Sequence, residues 1–443
     1  MRSWRKAPYY CLLRTNHFPI MQHSCEKPTI KQTFLIKKNA KNKQDNMVVS
    51  NLTSEIINDG RFQAYFAIAG GGTDALADLL RTPGASGLVE GATIPYSPNQ
   101  MTDFLGCKVD QACCQATAWK MANAAFRRVI NNKAGRSPLG VACTAALGTN
   151  RVRKGESRAH IALQTSDAVY TFTVRFTRDE QKEQSASADE FAAIRTQQER
   201  VVSDVLLSAL RYVQQYPQDD FQVIATRNPL LAIQFTVETD VQRIPDPIQE
   251  LFQGIADETI CNDCSDMSES VKAIFPGSFN PIHDGHRQMR ALASAILHCP
   301  VCYELSVLNA DKPTTSPGET AWRLNEIAKM DAQAEVILSR TPLFIDKARK
   351  HPGATFVVGA DTMARINDPK YCQSESAFNE MIAEFKRLKI RFLVFGRPSS
   401  DGVFSSLETL HLIDALRQLC IPVPENEFCC TLSSTEIRQR TGI

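Results

Sequence analysis

The sequence predicts an α/β protein: a doubly wound parallel sheet in the C-terminal part, preceded by a second α/β domain. Three observations predict it. From Val271 onward, short apolar runs (VKAIF, YELSVL, EVILS, TFVVGA and RFLVF) alternate with helical patterns. The helix read at 287–298 sets Met289, Leu292, Ala293, Ile296 and Leu297 on one face, the spacing of a helix lying on a sheet. Such alternation implies parallel strands with helices on both faces, since parallel neighbours need a crossover to connect them.

Taken in order, residues 1–46 stand apart. They carry ten Lys and Arg residues against only Glu26 and Asp45, and Pro8 and Pro19 interrupt any amphipathic helix. The segment reads as an extension without structure, an upstream start codon, or an organelle-targeting sequence. Residues 47–240 read as the first α/β domain. RFQAYFAIAGGGTDALADLL is a strand, a glycine turn and a helix that begins near Thr73 or Asp74. Residues 88–95 form a second strand, 111–130 a helix, and LGVACTAAL an apolar strand. AHIALQTSDAVYTFTVRF alternates on both sides of Ser166-Asp167, a hairpin signal, and a polar helix covers about 186–215. Residues 241–270, with Pro245, Pro247 and a run of acids, read as the interdomain linker, and 271–443 as the second domain.

Composition narrows the function classes. The 443 residues are 43% hydrophobic and 22% charged, ordinary for a globular protein of two or three domains. A net charge of +2 argues against a nucleic-acid surface. No apolar stretch approaches the roughly 18–20 residues of a membrane helix. Fourteen cysteines scattered over so long a chain indicate a reducing compartment. The pairs Cys261/Cys264 and Cys299/Cys302 are set too far apart for the usual zinc ribbon. A cytoplasmic or nuclear location is expected, mitochondrial if the basic segment is a true presequence.

The chemistry concentrates at strand ends, where ligands of doubly wound sheets bind. GSFNPIHDGHR, residues 277–287, follows the first strand of the second domain. Gly277 permits a tight turn, and Asn280-Pro281 fixes an extended one. His283 and His286 lie three apart, and Gly285 between them admits close ligand approach. Imidazole N–H groups and a helix N-terminus suit a phosphate. The same spacing fits two zinc ligands, but no third ligand of typical spacing follows. LSSTEIRQR, residues 432–440, offers a capping box from Ser433 to Glu436. It equally offers a phosphate clamp of Ser433, Ser434, Thr435 and Arg438. In FVVGADT, Gly359 ends a strand and Asp361 is either a helix cap or a carboxylate for ribose hydroxyls or water-bound Mg²⁺. Lys312 ends the second strand, where it reaches the same crevice or is solvated.

GSFNPIHDGH together with SSTEIR resembles the HxGH nucleotidylyltransferase superfamily, whose domain is Rossmann-like. With VGADT, the set is most similar to nicotinamide or nicotinate mononucleotide adenylyltransferases, and the resemblance spans 271–443. It implies transfer of AMP from ATP to a mononucleotide, with Mg²⁺ carried largely by the triphosphate. It implies that Gly277, Ser278, Phe279 and Asn280 line the nucleotide site. His283 and His286 would hold phosphates and stabilise charge at the α-phosphorus, and Ser433, Ser434, Thr435 and Arg438 would grip the leaving pyrophosphate. Gly359 and Asp361 would meet the nucleotide near its ribose. Trp322 and Tyr303 are the aromatic residues available to stack a nicotinamide ring.

Residues 69–97, AGGGTDALADLLRTPGASGLVEGATIPYS, resemble the C-terminal domain of the CinA family, which includes amidases acting on nicotinamide mononucleotide. Matching Gly84 and Tyr96 sets Ala69 at that family's nucleophilic serine, and alanine has no oxygen to attack an amide. The family's later Gly-x-Ala-Gly-Pro stretch is replaced by ACTAALGTN. The first domain is therefore expected to lack amidase activity, its glycine turn serving phosphate binding or packing. Two further functional readings stand beside adenylyl transfer: transfer from CTP or to another phospho-acceptor, and a nucleotide-binding regulator or weak ATPase.

Overall fold

The computed structural model describes residues 30–35, 51–131, 135–150, 155–177, 187–215, 220–224, 233–261, 271–308, 314–372, 374–398 and 404–441. Its two large sheets each have seven strands.

The first sheet runs in the order β1-β7-β6-β5-β4-β2-β3. It comprises β1 (Ile30–Leu35), β2 (Phe62–Ala69), β3 (Val89–Thr93), β4 (Ser137–Ala146), β5 (Arg158–Gln164), β6 (Ala168–Phe176) and β7 (Gln234–Arg243). β2 pairs parallel with β3 and β4, and the remaining pairings are antiparallel. Its helices are α1 (51–58), α2 (Thr73–Arg81), α3 (Pro98–Leu105), α4 (Gln115–Val129) and α5 (Ala188–Gln214). α5 begins with a complete capping box, Ser187 exchanging hydrogen bonds with Glu190. Burial explains the layering: Phe66, Ile68, Val141, Ile161 and Phe172 face α2 and α5, while Ala67, Ala142 and Ala162 face α4. Small residues on that second face let α4 approach the strands closely.

Two expectations change here. Residues 30–35, inside the segment expected to lack structure, form β1 at the sheet edge, paired antiparallel with β7. The stretch expected as a linker holds the end of β7, then α6 (Asp246–Gln253) and β8 (Glu258–Cys261), both built into the second domain. Pro247 sits in the first turn of α6, where its missing N–H costs nothing. Residues 262–270 lie outside the described residues.

The second sheet has the order β16-β13-β12-β9-β10-β11-β8. The strands are β9 (Ala273–Pro276), β10 (Cys302–Ser306), β11 (Val336–Ser339), β12 (Thr355–Gly359), β13 (Arg391–Phe395) and β16 (Cys420–Val423), all parallel, with β8 antiparallel on the edge. β14 (Arg397–Pro398) and β15 (Phe404–Ser405) form a small separate hairpin. Successive strand residues alternate between two cores, as the pleat requires. Ala273, Phe275, Tyr303, Leu305, Val357 and Leu393 face α6, α7 (Asp284–Leu297) and α8 (Pro317–Met330). Ile274, Cys302, Phe356, Val358, Phe392 and Val394 face α9 (Phe344–Lys350), α10 (Ala360–Ile366), α11 (Glu375–Arg387) and α12 (Asp414–Arg417). Both faces are covered, which is the expected doubly wound, Rossmann-like arrangement. Strand order reverses between β9 and β12, so the crevice for a ligand opens beyond their C-terminal ends. No helix among the described residues is long and apolar enough to cross a membrane.

Candidate active site

The loop leaving β9 is held by close packing. The Gly277 N–H donates to the Glu304 carbonyl at 2.9 Å. A Cβ on Gly277 would fall 2.5 Å from the Phe279 ring, so only glycine lets that ring fold back. Phe279 has φ 44 and is 2% exposed. Its ring is part of the core, 4.9 Å from Tyr303 and 5.2 Å from His286. What Phe279 can offer a ligand is therefore backbone. Asn280-Pro281 is a cis peptide.

His283 is the residue before α7, and His286 is in its first turn. The rings lie 3.8 Å apart between centroids. The His283 N–H donates to His286 Nδ1 at 3.2 Å, which leaves the His286 proton on Nε2. Burial, then His283 and Arg397, pull the His286 imidazole down to about 3. Burial and Arg397 also lower His283, opposed by Asp284. Both rings are therefore neutral near pH 7, able to donate an N–H but carrying no charge. His283 Nδ1 is buried and has no hydrogen-bond partner among the described residues. An orphaned buried ring nitrogen is costly unless a ligand meets it.

The C-terminal motif comes to the same loop. α13 (Ser434–Thr441) follows Ser433, whose Oγ accepts from the Thr435 N–H at 3.2 Å. The expected capping box reaches Thr435 in place of Glu436. Ser434 Oγ donates to the Pro281 carbonyl at 2.9 Å, Arg438 Nη1 donates to the Asn280 carbonyl, and Arg438 Nη2 donates to Thr435 Oγ1 at 3.0 Å. Burial, and then the nearby charge of Arg323, lower the Arg438 pKa. Both histidines, Ser433, Ser434, Thr435 and Arg438 thus converge around one loop.

Other expected residues fare differently. Gly359 ends β12, and Asp361 lies exposed in the first turn of α10, its Oδ1 2.6 Å from where a Gly359 Cβ would sit. It stands at the neighbouring strand end, with no hydrogen bond to the histidine loop. Lys312 lies outside the described residues. The two aromatic candidates for ring stacking are corrected: Tyr303 is fully buried in the core, and Trp322 packs on Trp119, centroids 6.3 Å apart.

Sequence reasoning missed a cavity of about 570 Å³ that begins at Pro276, Gly277 and Ser278 and extends toward α9, α10 and α11. Phe344 and Tyr371 supply aromatic walls, and Lys347, Arg349 and Arg365 supply cationic groups. At its floor Lys347 Nζ lies 2.6 Å from Glu304 Oε1, which also accepts from Ser339 Oγ. It missed Arg397, whose charge reaches both histidines. It missed Arg323, which donates to the Ser278 carbonyl at 3.2 Å. Among the described residues, no three His, Cys, Asp or Glu groups are placed to hold a metal ion.

In the first domain the glycine turn Gly70–Gly72 leads into α2, with Gly72 at φ 90. The anion position at this helix start is filled from within. Glu199, on α5, accepts from the Gly72 N–H at 3.0 Å, the Thr73 N–H at 2.6 Å, the Thr73 hydroxyl at 2.9 Å and the Asp74 N–H at 3.2 Å. The expected phosphate would have to displace that carboxylate. Ala69 ends β2 just before the turn, paired with Thr144.

No curated protein matches the chain. Solved structures that are similar include competence/damage inducible protein CihA from Agrobacterium tumefaciens, at 19% identity and TM-score 0.26, covering 39% of this chain and 99% of that one. A competence-damaged protein (CinA) superfamily protein from Escherichia coli matches at 14% identity and TM-score 0.25, covering 39% and 94%. These matches fall on the N-terminal region. Residues 274–440 match the cytidylyltransferase-like family model, so the C-terminal part of this chain is a cytidylyltransferase-like domain of the HxGH nucleotidyltransferase superfamily.

Proposed function

We propose that the C-terminal domain transfers AMP from ATP to nicotinamide or nicotinate mononucleotide, releasing pyrophosphate and forming a dinucleotide of the NAD type. The observation that carries this reading is the convergence of His283, His286, Ser434 and Arg438 on one loop that also borders the 570 Å³ cavity. The loop side suits the triphosphate, and the cavity suits the acceptor. Phe344 and Tyr371 offer flat apolar surface for a ring, and a 5′-phosphate would be met by Lys347, Arg349 and Arg365 on exchanging their present partners Glu304, Glu384 and the Tyr371 hydroxyl.

In this reading an acceptor phosphate oxygen attacks the α-phosphorus of ATP in line. A new P–O bond forms, the bond to the bridging α–β oxygen breaks, and that oxygen leaves with pyrophosphate. No protein nucleophile is needed. Neutral imidazole N–H groups and backbone amides meet the charge that builds on the α-phosphate, and Arg438 exchanges the Asn280 carbonyl for the leaving group. A Mg²⁺ carried by the triphosphate would neutralise part of its charge, and Asp361, exposed beyond the end of β12, would meet it through water. The first domain serves without hydrolysing an amide, a reading supported by Ala69 and by the Glu199 carboxylate in the glycine turn.

Pyrophosphate release by the full chain tests this, with ATP or CTP offered against nicotinamide mononucleotide, nicotinate mononucleotide or no acceptor. Acceptor-dependent release with ATP, and a dinucleotide by mass, is the expected result. Release with CTP moves the enzyme to cytidylyl transfer. Phosphate release without an acceptor, or nucleotide binding with no turnover, supports the weak ATPase or sensor.

A further inference from the structure

The two domains meet along α4 and α8. A Cβ on Gly318 would fall 2.2 Å from Gln164 Oε1 and 3.0 Å from Val169 Cγ2, so residues of the first domain press directly on the first turn of α8. Ser316, which caps α8 by accepting from the Glu319 N–H at 3.1 Å, donates its hydroxyl to Asn123 Oδ1 on α4. Both side chains are buried. One turn further along each helix, Arg127 Nη1 lies 2.8 Å from Glu319 Oε2. The other Glu319 oxygen lies 2.5 Å from Arg323 Nη2, and Arg323 Nη1 donates to the Ser278 carbonyl at 3.2 Å. The chain of contacts therefore runs from α4 of the first domain to the loop that carries the histidines.

Pinning the Ser278 carbonyl has a consequence for the donor beside it. In a trans peptide the carbonyl and the following N–H point in opposite directions. Arg323 therefore turns the Phe279 N–H away from itself, on a residue whose φ of 44 is already unusual. Arg438 holds a second point of the same loop, the Asn280 carbonyl, whose peptide to Pro281 carries no N–H. Burial pushes the Glu319 carboxyl up, but Arg323 and Arg127 outweigh it and hold the group below its usual range, so it stays charged between them.

We infer that the first domain positions the nucleotide loop of the second, with Arg127 acting through Glu319 and Arg323 to fix the Ser278–Phe279 peptide. This rests on the reading of that loop as the nucleotide site. Arg127 is a positioning residue: it touches neither the loop nor the cavity. Without it, Glu319 keeps Arg323 as a partner but loses its own anchor on α4, so the carboxylate that sets where the Arg323 guanidinium lies is free to shift.

Hydrogen exchange on the full chain, with Arg127→Met and Arg127→Lys, tests the inference without any substrate. A peptide spanning 276–286 should exchange about tenfold faster in R127M, a tenfold change in opening equilibrium, while β4–β6 peptides stay as in the parent. R127K should recover most of the protection. In transfer assays R127M should raise the KM for ATP several-fold with kcat within about twofold. Unchanged exchange at 276–286 in folded R127M overturns the inference, as does a uniform rise across both domains. If R127M folds poorly, Glu319→Gln gives the same readout. Exchange that follows the prediction in a protein that transfers no nucleotide would keep the brace and discard the proposed reaction.

Discussion

The molecule contains two units of the same local design. In each, a parallel strand ends in a glycine turn that leads into a helix: β2 into α2, and β9 into α7. Backbone amides at such a place attract an anion. In the first unit Glu199 supplies it, accepting from three amides and a hydroxyl. In the second, Asp284 of the first helical turn is held by Arg287 and Gln288, and a buried ring nitrogen of His283 has no partner among the described residues. The comparison teaches that a glycine turn at a helix start marks capacity, and that the surrounding elements decide its use. A self-satisfied turn adds stability to a scaffold, whereas an unsatisfied one is poised for a ligand.

The largest expected effect follows from removing a donor in the unsatisfied unit. His286→Ala should lower acceptor-dependent pyrophosphate release by about 10²–10³-fold, the range seen when one transition-state donor is lost. Steady-state assays at saturating ATP check it. An activity within threefold of the parent would mean that the histidine loop is not where charge develops.

The pH profile separates the two units next. Burial, with Arg158 and Arg175, lowers His160 of the first sheet to about 4, and His286 of the second domain lies at about 3. The unfolded chain takes up these protons near 6.5, so it binds more protons than the folded chain below that pH. Stability is therefore complete above about pH 6.5 and is lost as pH falls, by about 1.4 kcal/mol per pH unit for each ring, until the folded rings protonate. Urea unfolding at stepped pH should show both slopes. His160→Gln, which retains a partner for Thr173, should flatten only the transition of the first domain.

Much of this arrangement could be read from the chain. The central strands of the second sheet were legible because both faces are buried and the runs are continuously apolar, as in FVV of β12. The histidine loop and the serine-threonine helix start were legible because their chemistry is local. β7 was not, since only Phe235 and Val237 are buried and the rest of the strand reads as surface. α6 was hidden by its prolines, which look like linker punctuation until they are seen to start a helix. Glu199 lies 127 positions from Gly72 and has no local signal. Arg323 and Lys347 look like the solvated side of amphipathic helices, and only tertiary contact turns them into buried partners of Ser278 and Glu304.

Glu199→Ala offers a direct way to break the comparison. It strips the first turn of its acceptor and should cost about 1–2 kcal/mol, the scale of a lost helix cap with its dipole interaction. The variant should then respond to inorganic phosphate as the parent does not, its Tm rising with phosphate concentration as the emptied turn takes up the ion. Thermal melts with and without phosphate, at matched ionic strength, check both parts. If phosphate has no effect, the first unit has lost its capacity for anions, and its likeness to the second ends at the backbone.

The smallest expected effect concerns Ala69. Ala69→Ser restores a hydroxyl at the position where the resemblance to amidases sets a nucleophile. A hydroxyl alone is a weak nucleophile and needs a base within hydrogen-bond reach. Three polar side chains around the turn are already committed. Glu199 is held by the amides of residues 72–74, Thr144 Oγ1 donates to the Ala112 carbonyl at 2.7 Å, and His160 Nδ1 is bonded to Thr173. Ammonia release from nicotinamide mononucleotide should therefore stay at background in A69S, and adenylyl transfer should be unchanged. Measurable hydrolysis would show that the site lacked only its oxygen. Its absence would show that a hydroxyl at residue 69 has no base within reach, because Glu199 is held by the turn and Thr144 and His160 have other partners.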